Sequence, residues 1–230
     1  MASLALRAIN AVRDGRVISG IKRRLIPGRR DYLRRCKGVI HVGANDGYER
    51  EEYAKRGLRV LWIEPIPAVF ASLEINITEF DGQEAVQALI TDRDGDERVL
   101  NLADVGGLCS SILTPGAITD ILPDRFISKM NVTGVTLPTV MRDRDVSLYD
   151  ALVIDTQGAE LLVLRGAASM LRQFRYIECE AADFAFYEGY PSPDTIRAFL
   201  DGHGFRQVRE DTFRKTEHGR EFDMLFERNC

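Results

Sequence analysis

This chain has little cysteine or histidine and no long apolar run. Its four cysteines, Cys36, Cys109, Cys179 and Cys230, stand far apart and form no CxxC pair. That spacing argues against a zinc site or a disulfide framework and predicts reduced thiols in a cytoplasmic compartment. No apolar run approaches the ~20 residues needed to cross a bilayer, so no transmembrane helix is expected. The first residues lack the unbroken apolar core of a signal peptide, so no secretory signal is expected either. There is no internal repeat, low-complexity tract or dedicated metal motif. What remains is an ordinary globular composition, 45% apolar and 29% charged over 230 residues, enough for one domain with or without an appendage.

The net charge of −4 hides an asymmetry. Residues 1–37 carry eleven Lys or Arg against Asp14 and Asp31, a net of +9, whereas the remainder is −13. Leu4, Ala8, Ala11, Val12, Ile18, Ile21 and Leu25 recur at mostly helical spacing, with Arg7, Arg13, Lys22, Arg23 and Arg24 between them. Gly15 and Gly20 interrupt any single continuous helix. The expectation is a basic helical extension, 1–37, ahead of a main domain, 38–230. The extension reads as a peripheral arm for an anionic membrane surface or glycan, or as a helix packed on the domain or a neighbouring subunit. An Arg-rich targeting segment is a further reading. No nucleic-acid partner is expected.

From Gly38 onward strands and helices alternate. Strands are predicted at 39–42, 58–64, 84–90, 151–155 and 175–180, and helices at 46–56, 67–77, 159–165 and 193–202. Gly57 suits the residue after a helix, and Pro67 and Ser192-Pro193 suit helix starts. Residues 92–95 read as a hairpin turn into a strand at 97–102. Residues 103–130 have no clear period and read as a long functional loop, followed by a short strand at 132–137. Two closing strands, 205–210 and 221–228, make an antiparallel pair. The whole is a Rossmann-like α/β fold with a mostly parallel, seven-stranded sheet and helices on both faces.

The chain is organised around GVIHVGANDG, residues 38–47. A strand, a glycine turn and a helix start in that order suit a small ligand, because glycine lets backbone approach and a helix N-terminus offers free N–H groups. Gly43 and Gly47 are four apart, unlike the GxGxxG of dinucleotide folds. The second strand ends in Glu64, and an acid there accepts hydrogen bonds from both hydroxyls of a ribose. NAD and S-adenosylmethionine both carry that ribose, so Glu64 alone does not separate them. Asp155 ends another strand on the ligand side of the sheet, and Glu160 follows in the first turn of a helix, where it favours the helix dipole.

Together these stretches resemble the FkbM family of S-adenosylmethionine-dependent methyltransferases. The resemblance runs from about residue 39 to 205 and rests on VGANDGYE (42–49), WIEP (62–65), LVIDTQGAELLVLRGA (152–167) and ECEAADFAFYEGYPS with FLDGHGF (178–205). It implies a class I methyltransferase fold and S-adenosyl-L-methionine as cofactor, held by Gly43, Ala44, Asn45, Gly47, Glu64, Pro65 and Asp155. It further implies that Gly43 and Gly47 line the methionine and adenosine path, that Glu64 binds the ribose, and that Asp155 lies near the transferred methyl. The family usually has an acid two residues before the first glycine; here that residue is His41.

The implied acceptor is a hydroxyl on a sugar, glycan or polyketide. Placing its oxygen in line with the methyl is worth up to ~7–11 kcal/mol, and a base taking its proton adds roughly 10²–10⁴-fold. Asp155, Glu180 and His41 are the candidate bases. Phe184, Phe186, Tyr187 and Tyr190 are candidates for an acceptor wall, and Ser110 and Ser111 for cofactor or acceptor contacts. Two other classes stay open: an NAD-binding oxidoreductase, and a Rossmann-like binding protein without catalysis.

Overall fold

The computed structural model describes residues 30–104, 106–121 and 123–229. The basic extension expected at 1–37 lies outside them except for its last eight residues, of which Asp31–Arg35 form a 3₁₀ turn.

Seven strands form the main sheet in the order β3-β2-β1-β7-β8-β10-β9. They are β1 (Gly38–Val42), β2 (Arg59–Ile63), β3 (Gln83–Val86), β7 (Ala151–Ile154), β8 (Tyr176–Ala182), β9 (Phe205–Lys215) and β10 (Arg220–Arg228). β10 is antiparallel to both β8 and β9, and every other pairing is parallel. Every residue of β1, β7 and β8 is buried, because helices cover both faces. One face carries Val39, Val60, Trp62 and Val153, packed on Tyr53 of α1 (Arg50–Lys55) and on Leu73 and Ile77 of α2 (Pro67–Ile77). The other carries Ile40, Val42, Leu61 and Leu152. These meet α4 (Leu137–Met141), α5 (Glu160–Gly166) and α6 (Pro193–Gly202). Among the described residues no helix is long and apolar enough to cross a membrane.

The chain runs outward from β1 through β2 to β3, then returns to β7 on the other side of β1. The strand order reverses between β1 and β7, and ligands of open α/β sheets bind beyond the carboxyl ends of the strands at such a point.

Four local expectations are corrected. The helix predicted at 46–56 begins only at Arg50, because Asn45 (φ +50°) and Gly47 (φ +72°) are left-handed and cannot continue a helix. The strand predicted at 84–90 is divided. β3 stays in the main sheet, and β4 (Leu89–Ile90) joins a second sheet ordered β4-β6-β5. The turn at 92–95 closes no hairpin, since β4 and β5 (Asp96–Ala103) pair with opposite edges of β6 (Phe126–Val135). The first half of β6 was read as loop because most of its side chains are exposed, so it carries no apolar stripe. Among the described residues, the rest of that loop holds the short α3 (Ile118–Ile121).

Thr91, directly after β4, packs against the end of α5 at Gly166, where an added Cβ would sit 2.1 Å from the Thr91 carbonyl oxygen. Gly166→Ala is therefore expected to lower stability by about 1–3 kcal/mol through overpacking. A fall in the urea midpoint with an unchanged slope is the readout.

Candidate cofactor and active site

The cleft at the carboxyl ends of the strands encloses about 620 Å³, its open mouth included. Gly43 lines it at the end of β1 and is held there by geometry. Its φ is +81°, and a Cβ would fall 1.9 Å from the Asp155 carbonyl oxygen. Only glycine fits, since both the backbone angle and the space exclude a side chain. Asp155 follows β7 directly, and its N–H donates to the Val42 carbonyl at 2.9 Å. Gln157 Nε2 donates to Asp155 Oδ1 at 2.7 Å.

Glu64, 5% exposed, follows β2 and lines the same cleft. Its Oε2 accepts from the Asn45 N–H and its Oε1 from the Ile66 N–H, each at 2.9 Å. One carboxylate thus joins the turn after β1 to the residue preceding α2. Burial pushes its pKa from 4.5 up to about 7; the two N–H donors oppose this and the charge on Asp155 adds to it.

Glu160 does comparable work inside the DTQGAE loop. It is fully buried, and its carboxylate folds back to accept from the Thr156 and Gly158 N–H groups and the Thr156 hydroxyl. Burial raises its pKa to about 7, against the lowering effect of those N–H donors. Beyond its effect on the helix dipole, Glu160 holds a loop in which Gln157 (φ +54°) and Gly158 (φ +105°) are left-handed. Ser111 Oγ donates to the Gln157 carbonyl at 2.7 Å and ties the 106–113 loop to it. Asn45 Nδ2 donates to the Gly106 carbonyl at 3.0 Å, closing that loop over the turn.

Of the expected cofactor residues, the structure brings Gly43, Asn45, Glu64, Pro65 and Asp155 to the cleft. Ala44 and Gly47 do not line it. Ala44 is buried among Tyr53 and Trp62, and Gly47 serves packing, with Leu73 2.7 Å from where its Cβ would stand. The turn's N–H groups are not left free as expected. Those of Gly43 and Ala44 bond the Ile63 carbonyl, and that of Gly47 bonds the Ala44 carbonyl. His41 is corrected as a candidate base: it is 1% exposed, stacked on Trp62 and hydrogen-bonded to Tyr53, and it does not line the cleft. Glu180 stands level with Asp155 on the neighbouring strand but is buried opposite Asp223 of β10, away from the cleft lining. The aromatic run is mainly core, since Phe186 and Tyr187 are fully buried around Ile118. Ser110 lines the cleft, whereas Ser111 acts through the loop contact.

Sequence reasoning missed the apolar wall of Leu89, Ile90 and Leu100, which the second sheet supplies, and the lid residues Leu108, Cys109 and Ile112. The pair Gly106-Gly107 was the one local signal for the lid. At Gly107 (φ +82°) a Cβ would press on Val69 at 2.6 Å.

The Methyltransferase FkbM domain model matches residues 41–207. The chain belongs to the FkbM methyltransferase family, and its cofactor is S-adenosyl-L-methionine. A curated relative, the 2-O-methyltransferase NoeI of Sinorhizobium fredii, is 25% identical over 177 residues, covering 71% of this chain and 69% of NoeI. Among solved structures, Aeropyrum pernix fibrillarin with bound S-adenosylmethionine is 12% identical, with a TM-score of 0.47. The match covers 82% of this chain and spans 65% of the fibrillarin chain. Magnesium protoporphyrin IX methyltransferase of Synechocystis PCC 6803 with bound S-adenosylmethionine is 12% identical, with a TM-score of 0.41, over 83% of this chain and 69% of that one.

The cleft suits that cofactor on one structural count: Glu64 lines it with a buried carboxylate whose two backbone bonds leave further acceptor capacity.

Gly43→Ala is expected to abolish cofactor binding in calorimetric titration. Cofactor affinity is expected to rise with pH and level off above about 7, falling about tenfold per unit well below it. Glu64→Gln should be weak and flat with pH. For folding the sign is reversed. Glu64 and Glu160 have folded values raised from 4.5 to about 7, so their contribution is full below 4.5 and lost as pH rises through 7.

Proposed function

We propose that this chain transfers a methyl group from S-adenosylmethionine to a hydroxyl of a sugar, glycan or polyketide-type acceptor. The observation that carries the reading is the meeting of Glu64, Gly43 and Asp155 in one cleft at the reversal of strand order. The preference for oxygen is supported by the name of the relative NoeI, a 2-O-methyltransferase. It is also supported by the DTQG that follows β7, where base and amide N-methylation uses an NPPY-type motif.

When bound, the cofactor supplies an electrophilic methyl on a positively charged sulfur. Glu64 would hold the ribose hydroxyls, and Asn45 and Pro65 flank that contact. Leu89, Ile90, Leu100 and Ile112 keep water from the reacting atoms, and Ser110 adds a hydroxyl to the wall. Asp155, oriented by Gln157, takes the proton of the acceptor hydroxyl. Of the three candidate bases it is the one that lines the cleft. Its negative charge also favours a cationic sulfur centre nearby.

Asp155→Asn is expected to lower turnover by roughly 10²–10⁴-fold, with cofactor affinity changed far less. Transfer of isotope-labelled methyl groups into glycan fractions measures it, and unchanged turnover would remove Asp155 from the chemistry. A binding protein would instead hold the cofactor without transferring label.

A further inference from the structure

The stretch after the cofactor turn is anchored by a residue that precedes the sheet. Arg30 is 5% exposed and lies between two carboxylates. Its Nε donates to Glu178 Oε1 at 2.9 Å, and its Nη1 stands 3.2 Å from Glu49 Oε1. The same guanidinium lies over the Tyr53 ring, 5.9 Å from its centroid. Tyr53 shares a 3.2 Å hydrogen bond with His41 Nδ1. Arg30 therefore reaches both flanks of the turn: Glu49, two residues after Gly47, and His41, two residues before Gly43, through Tyr53.

Burial disfavours the charge on Arg30, but Glu178 and Glu49 outweigh that and hold its pKa above the ordinary value. A planar fork can serve two carboxylates at once, which a lysine ammonium does less well. Side-chain braces on the turn also come from Glu64, which accepts from the Asn45 N–H, from Asn76, which donates to the Asp46 carbonyl, and from Arg50, which donates to the Gly47 carbonyl. Arg30 itself does not line the cleft.

We propose that Arg30 is a positioning residue for the cofactor, holding the 43–49 backbone in its binding geometry through Glu49 and through Tyr53 and His41. The inference rests on the Gly43–Glu64 cleft being the cofactor site. A displaced turn weakens binding without any lost contact to the ligand, as misplacement of binding groups does generally.

The test is titration of the full chain with S-adenosylmethionine, run on Arg30→Met, Arg30→Lys, Glu49→Gln and Glu64→Ala. Melting without cofactor and amide exchange across 43–49 are measured alongside. Arg30→Met and Arg30→Lys are expected to weaken binding roughly 10- to 100-fold and to speed exchange in the turn. Glu49→Gln should reproduce part of the effect. Adding Arg30→Lys to Glu49→Gln should cost less than Arg30→Lys alone. Wild-type affinity in the Arg30 variants, even with a lowered melting point, overturns the proposal, because Arg30 would then serve stability alone. If both Arg30 variants fail to fold, wild-type affinity in Glu49→Gln overturns it instead. Undiminished binding by Glu64→Ala rejects the cofactor site itself, which separates that failure from the failure of Arg30.

Discussion

The backbone of Gly43 passes so close to the Asp155 carbonyl that no side chain fits between them, and the rest of the site depends on this approach. β1 and β7 are hydrogen-bonded neighbours, and the Asp155 N–H continues their ladder to Val42. Because the strand order reverses there, the two chains part beyond their last residues and leave a crevice. Any Cβ at residue 43 would push the Asp155 loop away and close the crevice or break the ladder. A glycine at this one position is therefore a condition of the cleft, ahead of any contact it makes with a ligand.

Buried carboxylates build the walls around that approach. Glu64 and Glu160 are each enclosed, and each is satisfied by backbone N–H groups of a loop with no regular structure to satisfy them. The arrangement trades an unfavourable charge burial against loops held in left-handed conformations at Asn45 and Gln157. Both acids titrate near neutrality as a result, with Asp155 adding to the rise at each. Glu64 orders its own loop and keeps acceptor capacity at the cleft lining.

Much of this was legible in the chain. The helices at Pro67–Ile77 and Pro193–Gly202 were read with correct ends, because Pro67 and Ser192-Pro193 are local signals that need no tertiary partner. Strand-end acids Glu64 and Asp155 were found for the same reason, since an acid after an apolar run marks the edge of a sheet. The helix at 46–56 was overextended because a left-handed Asn45 leaves no trace in a polar sequence. β6 was half missed because Ser128 interrupts its half-buried face of Phe126, Met130 and Val132 while Ile127 sits on the exposed face, which blurs the alternation. Glu180 and His41 ranked behind Asp155 as candidate bases, with a buried core histidine the other reading of His41, and their directions depend on which face each strand turns to the cleft.

The sequence by itself determined the alternation of strands and helices, the glycine turn with its strand-end acids, and the family to which they belong. These follow from local periodicity and from residue chemistry at short range. Only the tertiary structure decided which of those residues meet. It set Asp155 in the cleft and His41 in the core, and it made Glu160 the organiser of a loop. It brought the second sheet across to supply an apolar wall, and it placed Arg30 between Glu49 and Glu178. Such contacts join residues up to 148 positions apart. Their geometry is set by strand register and by the packing of both faces, which no local pattern encodes.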